Sequence, residues 1–334
     1  MIYKYFGVVF LLVCLYSCTN ENINDGYSEF AELDTLIREF EMNLLPLETE
    51  IKELSDLSAD LLRHQDNFIN IVDHHKFQIS EEGVFYNPNP LHHESSIYIS
   101  TRTADMKAAI NQVYATGPLD SAFSNLINNN PIITQAYFNS KAQFSRLYPN
   151  YDVLNILKPD LDVTAFNFYY LADGVRNPDR GPKWVEEIYL DPAGRGWVLS
   201  LIYPVYHEDV LEGVVGIDIT VEDLISTFLD KSDKDLLIVN SDGMIVASKA
   251  RAMETLDMPP INKYTYNKTI QADNFQTQEF NLFRSKNREV RRMVSKFLLE
   301  QDNKYILNVN GENHTVHCKK MTLMNWYLIA LDKI

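Results

Sequence analysis

From Phe30 to Leu54, apolar side chains recur at alternating intervals of three and four residues: Phe30, Leu33, Ile37, Phe40, Leu44, Leu47, Ile51 and Leu54. That spacing follows the 3.6-residue turn of an α-helix and predicts one long amphipathic helix. After a weak point at Ser58, Leu61, Phe68 and Val72 continue the stripe, so the helical segment is expected to occupy residues 27–78. Pro46 has no backbone donor and crowds the preceding turn, so a kink or a fresh helix start is expected there. Charged residues, among them Glu32, Arg38, Glu41, Glu48, Glu50 and Lys52, fill the other faces. An apolar stripe this long must be covered. A coiled-coil partner would cover it, and so would the rest of the same chain; the spacing leaves both open.

Ahead of the stripe, Lys4 precedes an apolar run from Phe6 to Tyr16. The run is too short for a membrane span, which needs about 20 apolar residues, and it suits the hydrophobic region of a signal peptide. Leu15-Tyr16-Ser17-Cys18 resembles a lipobox, with Tyr16 bulkier than the small residue preferred at that position. A polar linker, residues 18–26, starts at once with Thr19-Asn20-Glu21-Asn22. The expectation is a signal peptide over residues 1–17, lipidation of Cys18, and a body anchored in the cell envelope on its extracytoplasmic side, periplasmic or at the outer membrane. Each buried acyl CH₂ contributes about 0.8 kcal/mol to such an anchor.

Acids outnumber bases, 46 Asp and Glu against 30 Lys and Arg, for a formal net charge of −16. This argues against nucleic acid or an anionic membrane surface as a partner. The basic clusters at Arg284–Arg292 and Lys319-Lys320 are interleaved with apolar or acidic residues and read as solvated faces. Cys14 falls in the signal segment and Cys18 takes the lipid, so Cys318 is left without a disulfide partner and reads as a small buried hydrophobe.

Beyond the helix the pattern is mixed. Gly83–Tyr86, Ser96–Ile99, Ile132–Phe138, Phe166–Leu171, Trp197–Tyr206 and Gly213–Ile219 read as strands. Residues 104–115, 119–129 and 221–229 read as helices, the last with Thr220 as N-cap. Gly174, Pro178, Gly181 and Pro182 punctuate a long loop. From Lys231 a second unit begins, in which Ser241-Asp242-Gly243 is a hairpin turn and Asn310-Gly311-Glu312 another. Strands in antiparallel runs with helices beside them make the fold class α+β. No short fixed-period repeat is present; there are two α/β blocks, 79–230 and 231–334, behind the long helix.

The order of elements, together with Ile133–Asn139, Arg146-Leu147-Tyr148-Pro149, Trp184, Tyr189–Trp197, Pro204-Val205-Tyr206 and Gly213–Thr220, resembles the double Cache (dCache) family of extracytoplasmic sensors. The resemblance covers roughly residues 30–331 and is most specific over 130–229. It implies two Per-Arnt-Sim-like modules, a membrane-distal one (79–230) with a small-molecule pocket and a membrane-proximal one (231–334). In amino-acid-binding members a Tyr, an Asp two residues later and a second Asp in a Gly-rich strand hold the ligand's ammonium. Tyr189, Asp191 and Asp218 fall on those positions. Two carboxylates and a phenol supply acceptors and charge for a cation's donors; Trp184 and Tyr169 would add aromatic walls. The family's Arg-x-Trp-Tyr group for a carboxylate has only Arg180-Gly181-Pro182-Lys183-Trp184 as its nearest counterpart, with different spacing. An amine or another small polar metabolite is therefore as consistent as an amino acid, with Arg146 or Arg180 available for an anionic group. Each residue also has a plainer reading. Asp191-Pro192-Ala193-Gly194 is a turn that Asp191 can cap, and Trp184, Tyr169 and Tyr189 read equally well as core aromatics. Asp218 stands in an otherwise apolar strand, where an unpaired charge is costly.

No catalytic motif, metal-ligand spacing or phosphate-binding Gly loop occurs. The adjacent pairs His74-His75 and His92-His93 cannot easily chelate one ion, and Asp173, Asp179 and Asp191 match no Ca²⁺ loop. No enzyme activity, metal or cofactor is expected. The leading reading is a lipid-anchored binding or sensing protein that would need a separate transmembrane partner to pass on a signal. The alternative is an interaction lipoprotein that engages a partner through its N-terminal helix and holds no small ligand.

Overall fold

A computed structural model describes residues 21–68, 74–192, 194–259 and 278–334. The signal segment 1–17, Cys18 and Val72 lie outside the described residues. Two helices open the fold, α1 (Glu21–Leu44) and α2 (Leu47–Arg63). Pro46 sits between them as the N-cap residue of α2, where its missing N–H costs nothing. The helical segment thus starts earlier than residue 27 and stops well before residue 78. After Arg63, the polar run His64-Gln65-Asp66-Asn67 has no apolar side chain to bury, and among the described residues before Gln78 there are only the 3-10 turns Gln65–Asn67 and His74–Lys76.

Among the described residues, thirteen strands form two antiparallel sheets. Strands β1 (Gln78–Ile79), β2 (Phe85–Tyr86), β3 (Ser96–Ile99), β4 (Gln135–Ser140), β5 (Phe144–Tyr148), β6 (Lys183–Leu190), β7 (Trp197–His207) and β8 (Val210–Thr220) make the first. The second holds β9 (Asp235–Asn240), β10 (Ile245–Ser248), β11 (Lys304–Val309), β12 (Glu312–Lys320) and β13 (Trp326–Lys333). The second sheet is ordered β10-β9-β13-β12-β11, and the first contains β5-β4-β8-β7-β6, extended at its β5 edge by β3, β2 and β1. Numbered within each unit, both five-strand sets run second, first, fifth, fourth, third. This is the expected α+β layout, a helical lead followed by two Per-Arnt-Sim-like modules. The repeat is one of topology and leaves no trace as a sequence period.

Leu33, Ile37, Phe40, Leu44, Leu47, Ile51, Leu54 and Leu61 are all buried. They join one continuous core with Phe138, Ile217 and Ile219 of the first sheet and Ile238, Trp326 and Leu328 of the second. The stripe is therefore spent inside the chain. At about 1.5–3 kcal/mol for each fully buried Leu, Ile or Phe, this contact outweighs the ion pairs around it, each worth about 0–1 kcal/mol at a surface. Polar contacts set the helix's position along the sheets instead. Ser55 Oγ donates to the Pro204 carbonyl at 2.8 Å. Glu41 accepts the Thr322 and Leu323 backbone N–H groups at 2.5 and 2.9 Å. Among the described residues, no helix is long and apolar enough to cross a membrane.

Each sheet turns its other face to a separate core. On the second sheet this holds Val290, Met293 and Phe297 of the helix Arg288–Leu298, with Cys318 buried among them. On the first sheet it holds Val153, Phe166, Phe168 and Tyr169. Phe166–Leu171 is not a strand. Asp162 caps a 3-10 turn at Val163–Ala165, and Asn167–Tyr170 is a helical turn. The aromatic content that suggests a strand serves here to bury Phe166, Phe168 and Tyr169 under a sheet, a case of burial overriding propensity.

Candidate functional site

In an antiparallel sheet, every second residue of a strand faces the same side. On β4, Gln135, Tyr137 and Asn139 face away from α1 and α2, while Ala136 and Phe138 face toward them. In the ladder, Gln135 stands opposite Asp218 on β8, and Asp218 opposite Ser200 on β7. Three polar side chains thus cross the centre of the sheet in a row. Tyr189 OH lies 2.7 Å from Ser200 Oγ, and Ser200 Oγ donates to Asp218 Oδ1 at 2.5 Å. From the other side, Gln135 Nε2 donates to Asp218 Oδ2 at 3.1 Å.

Asp191 follows β6 directly and shares this cavity. Its backbone forms a turn, with Gly194 N donating to its carbonyl at 2.9 Å, while its Oδ2 accepts the Arg195 N–H at 3.2 Å. The turn and the cavity use one residue, so the two readings of Asp191 are compatible. The same turn aims Arg195 inward: Nε donates to Gln135 Oε1 at 2.7 Å and Nη2 to the Pro149 carbonyl at 3.1 Å. Arg195 thereby holds the Gln135 amide with its nitrogen toward Asp218.

Asp218 and Asp191 are only 1% and 3% exposed. Burial, and then the charge of Asp191, push the Asp218 carboxyl up to about 8, against the opposing pull of Ser200, Arg195 and Gln135. Burial likewise pushes the Tyr137, Tyr151 and Tyr189 phenols well above their ordinary range. Tyr151 lines the cavity, and its hydroxyl is buried without a hydrogen-bond partner, which costs free energy until something supplies one. Two buried carboxyls and an unpaired phenol around one space form an acceptor-rich, cation-seeking arrangement.

That space is small, about 30 Å³, against roughly 300–1,000 Å³ for an ordinary small-molecule pocket. Phe168 is among the side chains that line it, with ring centroids 5.7 Å from Tyr137 and 5.6 Å from Tyr189. Tyr137 reaches the cavity across Gly216, where any Cβ would come within 2.1 Å of its ring. A ligand larger than this space is admitted only if lining side chains move.

Of the residues singled out in the sequence, Tyr189, Asp191 and Asp218 come together here. Trp184 and Arg146 do not, because strand alternation turns both to the helix side of the sheet. Trp184 donates Nε1 to Glu48 of α2 at 2.9 Å. Arg146 donates to Thr116 Oγ1, Asp120 Oδ1 and the Val113 carbonyl at 3.2, 2.6 and 2.7 Å. Tyr169 is buried in the aromatic cluster on the cavity side but does not line the cavity. Arg180 is at the surface, pairing with Asp209 and covering the Tyr206 ring. Asp173 pairs with Arg176 in the long loop, and no group of three or more metal-ligating side chains occurs among the described residues. Gln135, Ser200, Tyr151, Phe168 and Arg195 also belong to this site and are not marked as site residues by the sequence pattern. The signal for Ser200 and Gln135 was a polar residue within a buried strand, weak until the register is known.

No protein-family model matches the chain, and no curated protein matches it. Solved structures do resemble it. One is the ligand-binding domain of the Pseudomonas fluorescens chemoreceptor CtaA in complex with L-alanine: 16% identity over 67% of this chain and 82% of that one, with a TM-score of 0.46. Another is the sensory domain of the Campylobacter jejuni chemoreceptor Tlp3 with isoleucine bound: 13% identity, 92% and 96% coverage, TM-score 0.42. A third is the ligand-binding domain of the Pseudomonas aeruginosa chemoreceptor PctB with L-Arg: 16% identity, 62% and 74% coverage, TM-score 0.41. These three structural neighbours are ligand-binding or sensory domains of chemoreceptors.

Proposed function

We propose that this protein is a lipid-anchored, extracytoplasmic receptor of the double Cache type that binds a small cationic or zwitterionic metabolite, an amine or an amino acid, in its membrane-distal module. The observation that carries this reading is the pair of buried carboxyls, Asp191 and Asp218, around one cavity. A cation bound between them would let Asp218 ionise beside Asp191. Tyr151 would gain a partner for its hydroxyl, and Tyr189 and Ser200 would hold Asp218 from behind. The role is binding rather than catalysis, and a signal would pass to a separate transmembrane partner. The rival reading, in which the N-terminal helix recruits a partner, is disfavoured because the apolar stripe of that helix is already buried against both sheets.

The test is a thermal-shift screen of amines and amino acids on the soluble body, followed by calorimetry. At least one compound should stabilise the wild type and lose its effect in Asp218→Ala, with the circular dichroism spectrum unchanged. Normal binding by Asp218→Ala would overturn the assignment of the cavity.

A further inference from the structure

On the helix side of the first sheet lies a cleft of about 700 Å³, a size that suits a small organic molecule. Its floor holds Arg146 of β5 and Asp120 of the helix α4 (Leu119–Asn129), with Ile97 and Val113 beside them. Arg146 is 3% exposed, and its charge is met by Asp120 at 2.6 Å. At the rim, Lys76 pairs with Glu94 at 2.5 Å. Charges inside and at the rim are therefore matched, and a ligand with net charge would break a pair rather than complete one.

The hydrogen bonds at the floor are lopsided. Both bonds to Asp120, from Ser95 Oγ at 2.5 Å and from Arg146 Nη1, end on Oδ1. Oδ2 carries neither. Arg146 uses one N–H of each terminal nitrogen, to Asp120 and to the Val113 carbonyl; each nitrogen has a second N–H. An acceptor on Asp120 and a donor on Arg146, neighbours joined through Oδ1, are thus left over among the residues that line the cleft. That pair is the complement of a cis-amide edge, in which a ligand N–H donates to Asp120 and its neighbouring C=O accepts from Arg146.

We infer that this cleft is a second binding site, separate from the carboxyl cavity, for an uncharged molecule with a cyclic-amide or carboxamide edge. It lies on the opposite face of the same sheet, so it is independent of Asp218.

The experiment uses uracil as the probe, with 1,3-dimethyluracil, whose ring nitrogens have no hydrogen to donate, as its control. In calorimetry, wild-type protein should bind uracil, and dimethyluracil should bind about tenfold or more weakly, the worth of one lost hydrogen bond at a buried acceptor. Asp218→Ala should bind uracil as the wild type does. Asp120→Asn keeps an oxygen for Ser95 and Arg146 but presents an NH₂ in place of Oδ2, and should lose about tenfold. Absence of uracil binding, equal binding of the dimethyl compound, or loss of binding in Asp218→Ala would each overturn the inference. The uracil comparison needs no variant and stands even if Asp120→Asn misfolds.

Discussion

Ser200 and Asp218 face each other across the β7–β8 ladder, with Ser200 Oγ 2.5 Å from Asp218 Oδ1. Tyr189 stands behind Ser200, and Gln135 holds the second carboxyl oxygen. Every protein bond to this carboxyl comes from a neutral group. These bonds and the nearby Arg195 charge favour the ionised form, but burial and then the charge of Asp191 outweigh them, and the proton affinity of Asp218 is raised.

Cation binding should depend on pH. A bound ammonium displaces the proton that Asp218 holds up to about pH 8. Apparent affinity for a simple amine should fall about tenfold for each pH unit below that point and level off above it. Calorimetry across the range checks this, and a flat profile for an amine that stays protonated throughout would sink the idea.

The unliganded protein should lose stability as pH rises. The native Asp218 keeps its proton from the ordinary value of 3.8 up to about 8, whereas the unfolded chain has released it. The native state thus binds more protons in that window. Its stability falls there by about 1.4 kcal/mol per pH unit and is flat above it. Urea unfolding of Asp218→Asn beside the wild type should show this slope in the difference between them. Identical slopes would place the titrating group elsewhere.

Phe168 is a large aromatic side chain lining the cavity. Phe168→Ala should cost about 3 kcal/mol in unfolding free energy, while admitting bulkier amines. Affinity for benzylamine relative to methylamine should rise in the variant; an unchanged ratio would show that the ring does not limit access.

Trp184 serves the helix side. Trp184→Phe removes the donor to Glu48 and should destabilise by about 1 kcal/mol. Affinity for any ligand of the Asp218 cavity should stay within about twofold, less than the worth of one hydrogen bond. A large loss would return Trp184 to the ligand site.

The local pattern was enough to specify the amphipathic stripe, the break at Pro46, the two hairpin turns and the α+β class, because each depends on residues within a few positions of one another. Asp218 was conspicuous for the same reason, a charge inside an apolar strand. Which aromatics and arginines join it was not legible. Arg146 and Trp184 are placed by which side of a strand they occupy, and one residue of register reverses that, while Tyr151 is placed by the loop after β5. Phe166–Leu171 carries strand-like aromatics yet forms a helical turn, because the burial it meets is imposed by distant strands. The choice between a coiled-coil partner and self-covering of the helix also rested on surfaces contributed by residues up to 300 positions away. The sequence by itself determined the periodic elements, the acidic balance and the buried carboxylate of β8. Tertiary structure alone decided that Gln135, Asp218 and Ser200 align in one row, that Arg195 orients Gln135, and that Arg146 belongs to another cleft. Period and propensity act along the chain, whereas these relations arise only when strands pair across it.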